Sequence, residues 1–247
     1  MRKLRVAIAG LTACSGCQLS LLNCEDELSG LLGLFEFSFF PMACSSAELS
    51  GNYDAALVEG CLSMPHERAL LLELRERSRY LIAVGTCAVW GGVAALRNGE
   101  DRARLRRQVY GESAVAGETT EPVPLGRIVT VDAVITGCPP EKEELLTLLT
   151  GLARGALPAA VDYPVCTECK MRENLCLLTE RDELCLGPLT FGGCRARCPR
   201  LSVACEGCRG PVPEANLKEA LQLFAQKGFD RKDVIERLRR FCPEWHI

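Results

Sequence analysis

Between residues 4 and 152, short apolar runs alternate with amphipathic stretches. Residues 4–10, Tyr53–Val58, Tyr80–Val84 and Ile128–Ile135 are mostly apolar, broken only by Arg5, Asp54, Thr130 and Asp132, and lead into Gly- and Cys-containing turns, so each predicts a buried strand. The stretches between them have helical spacing. Leu19 to about Leu32 predicts a helix with Leu19, Leu22 and Leu28 near one face, and Glu67–Arg79 predicts one with Leu70, Leu71 and Leu74 turned inward. Gly91–Leu96 begins another helix, and Asp101–Tyr110 continues the pattern with a basic surface face. Glu141–Leu152 has acidic residues in its first turn, as the helix dipole prefers. Pro139 and Pro140 are expected to stop the preceding strand and pre-set the first turn of that helix. Phe35–Pro41 reads as extended, and residues 111–127, polar with Gly and Pro, as a loop. Strands that alternate with helices predict an α/β fold around a mostly parallel sheet.

The pattern then changes twice. Residues 153–165, rich in Ala and Pro, look like a linker. Residues 166–210 show little apolar periodicity but hold eight cysteines: Cys166, Cys169, Cys176, Cys185, Cys194, Cys198, Cys205 and Cys208. So short a segment cannot build a core without cross-links. Glu214–Lys227 and Lys232–Phe241 regain helical spacing, with Gly228 fitting a C-cap and Asp230 an N-cap. These helices read as packing or docking elements. The expected domains are 1–153, 154–212 and 213–247.

Composition narrows the function. The chain has 247 residues, 48% of them hydrophobic, and a net charge of −3, which lacks the basic footprint of a nucleic-acid binder. Its 16 cysteines imply disulfides or metal. Met-Arg-Lys-Leu-Arg5 followed by an apolar run imitates a secretory signal, and Leu-Thr-Ala-Cys14 imitates a lipoprotein cleavage box. The run is short for such a signal and lies beside a second cysteine. No stretch reaches the ~18 apolar residues of a membrane span. A cytoplasmic chain is expected, where metal explains the thiols better than disulfides do.

Cys14-Ser-Gly-Cys17 follows the first strand and opens a helix, whose positive end would favour thiolates. Alone, this pair fits a redox dithiol, a zinc site or an iron–sulfur ligand pair equally well. Ligands of parallel sheets collect beyond the carboxyl ends of the strands. Cys14, Cys17, Cys87 and Cys138 all fall just past predicted strand ends, so topology brings them to one edge as a four-thiolate metal site. The other eight make two tetrahedral sets, and Cys194-x3-Cys198-Pro199 has the closing rhythm of a ferredoxin cluster motif.

Five motifs, in order, resemble the small subunit of nickel–iron hydrogenases: Cys14-Ser-Gly-Cys17, Gly85-Thr-Cys87-Ala-Val-Trp-Gly-Gly92, Thr136-Gly-Cys138-Pro-Pro140, Cys185-Leu-Gly-Pro-Leu-Thr-Phe-Gly-Gly-Cys194 and Cys205-Glu-Gly-Cys208. The resemblance spans residues 4 to about 212. It implies a flavodoxin-like N-terminal domain holding a proximal 4Fe–4S cluster on Cys14, Cys17, Cys87 and Cys138. It implies a distal 4Fe–4S cluster on Cys166, Cys169, Cys176 and Cys185, with Cys166 where many periplasmic members have histidine. The medial cluster falls to Cys194, Cys205 and Cys208. Many members stop at three ligands there; Cys198 supplies a fourth, so 4Fe–4S is expected. The resemblance further implies a separate large subunit that carries the nickel–iron centre. Electrons would pass from it through the three clusters to a diaphorase or ferredoxin-like partner. The export signal and membrane tail of periplasmic members are missing. The opening resembles soluble cytoplasmic hydrogenases, especially the delta subunits of sulfhydrogenases. The related subunit of respiratory complex I has two adjacent cysteines at this point, unlike Cys14-Ser-Gly-Cys17.

His66 and His246 are expected to be ordinary surface or packing residues, and no nickel site is expected in this chain. Cys24, Cys44, Cys61 and Cys242 fit no motif and read as small buried hydrophobes. Glu59 reads as a helix-start acid, with proton handling at a subunit boundary as the alternative. A structural zinc protein would explain the C-x2-C pairs at 166/169 and 205/208. A thiol oxidoreductase would need one reactive pair, and a nonredox scaffold would show no reducible signal.

Overall fold

The apolar runs pair as strands. A computed structural model, describing residues 2–45, 48–111 and 119–245, begins with β1 (Leu4–Gly10), α1 (Gly16–Leu22), α2 (Glu25–Leu34), β2 (Phe35–Phe39) and β3 (Tyr53–Glu59). α3 (Pro65–Arg77) leads into β4 (Ser78–Val84), α4 (Thr86–Trp90), a 3-10 turn at Gly92–Ala95 and α5 (Arg102–Tyr110). A second 3-10 turn, Leu125–Arg127, precedes β5 (Ala133–Ile135) and α6 (Lys142–Ala153). All strands pair in parallel, in the order β2-β1-β3-β4-β5. That is the doubly wound, flavodoxin-like order.

Alternation along the strands builds one core on each face of the sheet. Val6, Ile8, Leu57, Ile82 and Val84 meet Leu21, Leu31, Leu145, Leu148 and Leu149 of α1, α2 and α6. Ala7, Ala9, Ala56, Val58, Leu81 and Ala83 meet Leu71 and Leu74 of α3, with Leu70 partly buried beside them.

Four local expectations are corrected. The helix expected from Leu19 to Leu32 is two helices, separated at Asn23 and Cys24. Its sheet-facing residues are Cys17, Gln18 and Leu21, while Leu19 is exposed and Leu22 half-buried; the side chain of Leu28 lies outside the described ones. Cys17 and Leu21 are four apart and share a face, which turns Leu19 outward. The last strand is Ala133–Ile135 rather than Ile128–Ile135. Its pairing stops where the Asp132 carboxylate takes the amide of Leu81 (2.7 Å), and Val129 turns into the α3-side core. Helical structure near Gly91 starts earlier, at Thr86, because Gly91 (φ +82°) caps α4 and separates it from the next turn. Pro139 and Pro140 precede α6, whose N-cap is Glu141, so they do not form its first turn. In the loop expected at 111–127, residues 112–118 lie outside the described ones.

The cysteine-rich stretch contains only short helices, α7 (Val165–Met171), α8 (Leu177–Glu180) and α9 (Arg197–Arg200), before the tail forms α10 (Leu217–Gln226) and α11 (Arg231–Arg239). The stretch does share an apolar core, but the tail helps to build it: Val165, Leu177, Leu186 and Leu189 pack with Phe224, Val234, Leu238 and Trp245. Asp230 caps α11 through the amides of Lys232 and Asp233, and Gly228 (φ +79°) closes α10. Arg127–Glu244 (2.7 Å) ties the tail back to the sheet domain. Among the described residues no helix is long and apolar enough to cross a membrane.

Asp132 fastens this fold at the edge of the sheet. Burial works to raise its carboxyl, but hydrogen bonds from Arg75 (2.5 Å) and the Leu81 amide overcome this and hold it below the ordinary carboxylate range. A depressed folded-state value contributes stability that is present above the unfolded-state value and lost as pH falls through the folded one. Asp132→Asn is expected to lower the unfolding free energy at neutral pH by about 1–2 kcal/mol. In denaturant titrations, the gap between the two proteins should narrow as pH falls below about 4.

Candidate metal centre

The loops after β1, β4 and β5 bring distant cysteines together. Cys14 lies in the first loop, Cys17 on α1, Cys87 on α4 and Cys138 just beyond β5. Their thiols feel one another's charge. Cys17 is pushed far up by burial, Glu59, Cys87 and Cys138. Cys87 is pushed up to about 11 by burial, Cys138 and Cys14. Cys138 is raised by burial, Cys14 and Glu59. Glycine makes room for the set. A Cβ on Gly85 (φ +85°) would lie 2.3 Å from the Cys17 Sγ, and one on Gly92 would lie 2.7 Å from the Cys87 Sγ. Cys14 and Cys138 are exposed, so the set opens to the surface.

In the cysteine-rich stretch, further thiols lie within reach of one another's charge. Cys166 is pushed up to about 12 by burial, Cys185, Cys169 and Cys176, and Cys185 is raised by burial and by Cys169 and Cys176. Cys176 goes the other way: burial works to raise it, but hydrogen bonds from Thr179 and the amide of Leu178 pull it down. Cys208, pushed up to about 11 chiefly by burial, feels Cys194 and Cys198. Cys205, fully buried and well raised, feels Cys185, Cys208 and Cys194. Burial leads in raising Cys198, with Glu206 next. The thiols adjoin in a row: Thr86 joins the Gly137 amide beside Cys138 to the Cys208 carbonyl, and the Cys205 amide donates to the Cys185 Sγ at 3.2 Å.

The expected activation of Cys17 by the start of α1 is not seen. Burial and the adjacent Glu59 charge outweigh the amides of so short a helix. Glu59 takes those amides itself. It is buried and accepts from Cys17 N (3.1 Å), Gln18 N (3.2 Å) and Gln18 Nε2 (3.0 Å), which is the helix-start role, although for α1 rather than for a helix following β3.

Several polar residues around the sets were not singled out from the sequence. Thr86 receives the Gly137 amide (3.1 Å) and donates to the Cys208 carbonyl, while Trp90 Nε1 donates to the Arg209 carbonyl (3.3 Å). These bonds hold the loops of Cys138 and Cys208 together. Glu168, inside the Cys166-x2-Cys169 pair, accepts from Gly193 N (2.8 Å) and Ala196 N (3.0 Å) beside Cys194. Arg209 is buried and pairs with Glu144 of α6, Nη1 to Oε2 at 2.9 Å. Burial works to raise the Glu144 carboxyl and Arg209 to lower it. Glu168, inside the Cys166-x2-Cys169 pair, and Arg209, directly after Cys208, had their place beside cysteines as a signal, whereas Glu144 reads in sequence as one more first-turn acid of its helix.

His66 is exposed, and His246 lies outside the described residues. Cys24, Cys61 and Cys242 are buried and Cys44 half-buried. Cys61 points its thiol at the Thr12 carbonyl (3.5 Å) and feels Cys87, so this small buried residue borders the first set. Among the described residues no three His, Cys, Asp or Glu side chains close tightly enough on one point to hold a single metal ion.

Comparison with known proteins follows the same lines. The family model of the NADH ubiquinone oxidoreductase 20 Kd subunit matches residues 14–152, the sheet domain with Cys14, Cys17, Cys87 and Cys138. Sulfhydrogenase 2 subunit delta of Pyrococcus furiosus is 39% identical over 97% of this chain and 99% of its own. A subunit of the F420-non-reducing hydrogenase of Methanocaldococcus jannaschii is 30% identical over 96% of this chain and 94% of its own. A chain of an NAD+-reducing [NiFe]-hydrogenase crystallised in the H2-reduced state superposes with a TM-score of 0.57 at 32% identity, covering 64% of this chain and 96% of that one. The family model ends before the eight later cysteines, whereas the first two relatives match nearly end to end. This chain belongs to the NADH ubiquinone oxidoreductase 20 Kd subunit family, in the branch formed by the small subunits of nickel–iron hydrogenases.

Proposed function

We propose that the chain is the electron-transfer small subunit of a nickel–iron hydrogenase. Three 4Fe–4S clusters would be held by this chain: proximal on Cys14, Cys17, Cys87 and Cys138, medial on Cys194, Cys198, Cys205 and Cys208, and distal on Cys166, Cys169, Cys176 and Cys185. The observation that carries this reading is the row of thiols, joined by Thr86 between Gly137 and the Cys208 carbonyl and by the Cys205 amide on Cys185. Bound clusters supply one-electron transfer at potentials set by charge, hydrogen bonds and exposure.

The residues fit such clusters. Each proposed set contains buried thiols whose protons are held by burial and by neighbouring charge, so thiolates there would be stabilised by a metal cation between them. A single zinc ion would need its thiolates ~2.3 Å from one point, and among the described residues no group of three ligands is arranged to hold one ion. Glycines at 85, 92 and 187 keep side chains off the Cys17, Cys87 and Cys166 sulfurs.

The exposure of Cys14 and Cys138 supports a proximal set that a large subunit with the nickel–iron centre would abut. The distal end would deliver to a further iron–sulfur or flavin diaphorase subunit; NAD+-reducing and F420-non-reducing relatives differ in their names at this point. The 16 free thiols suit a reducing compartment, and the cytoplasm is the proposed location.

Anaerobically purified protein is expected to carry about twelve irons and as many acid-labile sulfides per chain, with negligible zinc. Zinc without sulfide would refute the reading. Gly85→Ala adds a methyl group against the Cys17 sulfur at a backbone angle that disfavours it. It is expected to cost about four of those irons, counted by metal analysis. Cys198→Ser should leave the medial set with three thiolates and remove about one iron, giving an EPR signal in the oxidised protein that the parent lacks.

A further inference from the structure

A buried cation sits beside the medial set, and the electron path described so far gives it no task. Arg209 follows Cys208 and is 2% exposed. Its two terminal nitrogens pair with both oxygens of Glu144 on α6, while its Nε–H is buried with no acceptor among the described residues. Its charge reaches both Cys194 and Cys208. The pocket is made for it: at Gly193 (φ +101°), a Cβ would lie 2.6 Å from the Arg209 Nη2 and 2.5 Å from the Glu144 Oε1. The other charges facing this set are Glu168, 4.0 Å from the Cys194 Sγ, with Glu206, Arg197 and Glu141 near Cys198.

Removing a guanidinium and a carboxylate from water is costly, and apolar side chains of similar volume often stabilise such a site better. A cation next to a redox centre favours the form with one more electron. A donor N–H without a protein acceptor has the same effect when the centre's sulfurs accept from it. Glu144 opposes the first effect, because it returns a negative charge to the same place.

Resting on the assignment of a cluster to Cys194, Cys198, Cys205 and Cys208, we propose that Arg209 raises the reduction potential of the medial centre and that Glu144, from the sheet domain, moderates it. The step it governs is a one-electron reduction in which no bond is made or broken. In the family's reaction the electron comes from H2 by way of the proximal centre, and in a titration it comes from dithionite.

The test is an EPR-monitored redox titration of the anaerobically purified complex, with iron counted in each preparation. Arg209→Met is expected to move the medial midpoint to lower potential and Glu144→Gln to move it to higher potential, while the proximal and distal midpoints stay in place. Arg209→Lys, which keeps the charge but loses the Nε donor, should fall between parent and Arg209→Met. A purely structural pair predicts cluster loss, or shifts of one sign in both variants, and either a common sign or an unmoved medial midpoint with full iron overturns the proposal. If Arg209→Met fails to hold the medial cluster, Glu144→Gln decides alone: a rise supports the proposal and no rise overturns it. A parent protein without a medial signal sinks the underlying cluster assignment instead, so the two failures are distinguishable.

Discussion

Burying thiols side by side disfavours their charged form, and the rest of the chain is built around this constraint. Each set places buried cysteines within electrostatic reach, and burial leads the causes that raise Cys17, Cys87, Cys166, Cys205 and Cys208. Without a compensating cation such a set stays protonated. With one, the binding free energy of the metal becomes folding free energy for the loops that present the thiols. The two halves of the chain meet this constraint differently. The sheet domain has large cores on both faces and supplies its four thiols from loops that the strands already position. The cysteine-rich stretch has a smaller core and completes it with Phe224, Val234, Leu238 and Trp245 of the tail.

The junction between the halves is polar and specific. Thr86 bridges Gly137 and the Cys208 carbonyl, Trp90 reaches the Arg209 carbonyl, and Arg209 itself pairs with Glu144. Gly210 (φ +75°) is required here, since a Cβ on it would lie 2.3 Å from the Trp90 Nε1. These contacts converge on the loops of Cys138 and Cys208, where the proposed proximal and medial sets would adjoin. In that reading a shift at this junction would change the distance an electron crosses, and the hydrogen bonds that fix it would serve transfer as well as stability.

How much of this could be read from the sequence depended on the range of the interaction. The strands at Tyr53 and Tyr80 were legible because a strand buried on both faces leaves a nearly continuous apolar run. The convergence of the loops of Cys14, Cys17, Cys87 and Cys138 was legible because the ends of parallel strands share one edge of the sheet. The break at Asn23 and the exposed Leu19 were not, since helical spacing alone does not fix where a helix starts or which stripe meets the sheet. The early end of the last strand hung on one carboxylate, Asp132, that captures the Leu81 amide. Glu59, Glu144, Glu168 and Arg209 were the hardest to assign. A charged residue looks solvated in sequence, and its burial is decided by elements far away in the chain.

Exposure along the proposed path is greatest at its proximal end. Cys14 and Cys138 are exposed, whereas the proposed medial and distal sets each have one buried thiol, Cys205 and Cys185, and three half-buried ones. The tail helps to cover these two sets. Arg240 and Arg237 of the second tail helix region grip Glu206, between Cys205 and Cys208, and Arg237 also holds the Leu184 carbonyl beside Cys185. These helices cover the residues between Cys185 and Cys205, where the proposed medial and distal sets would meet. In that reading their packing also shields the electron path through the residues they hold.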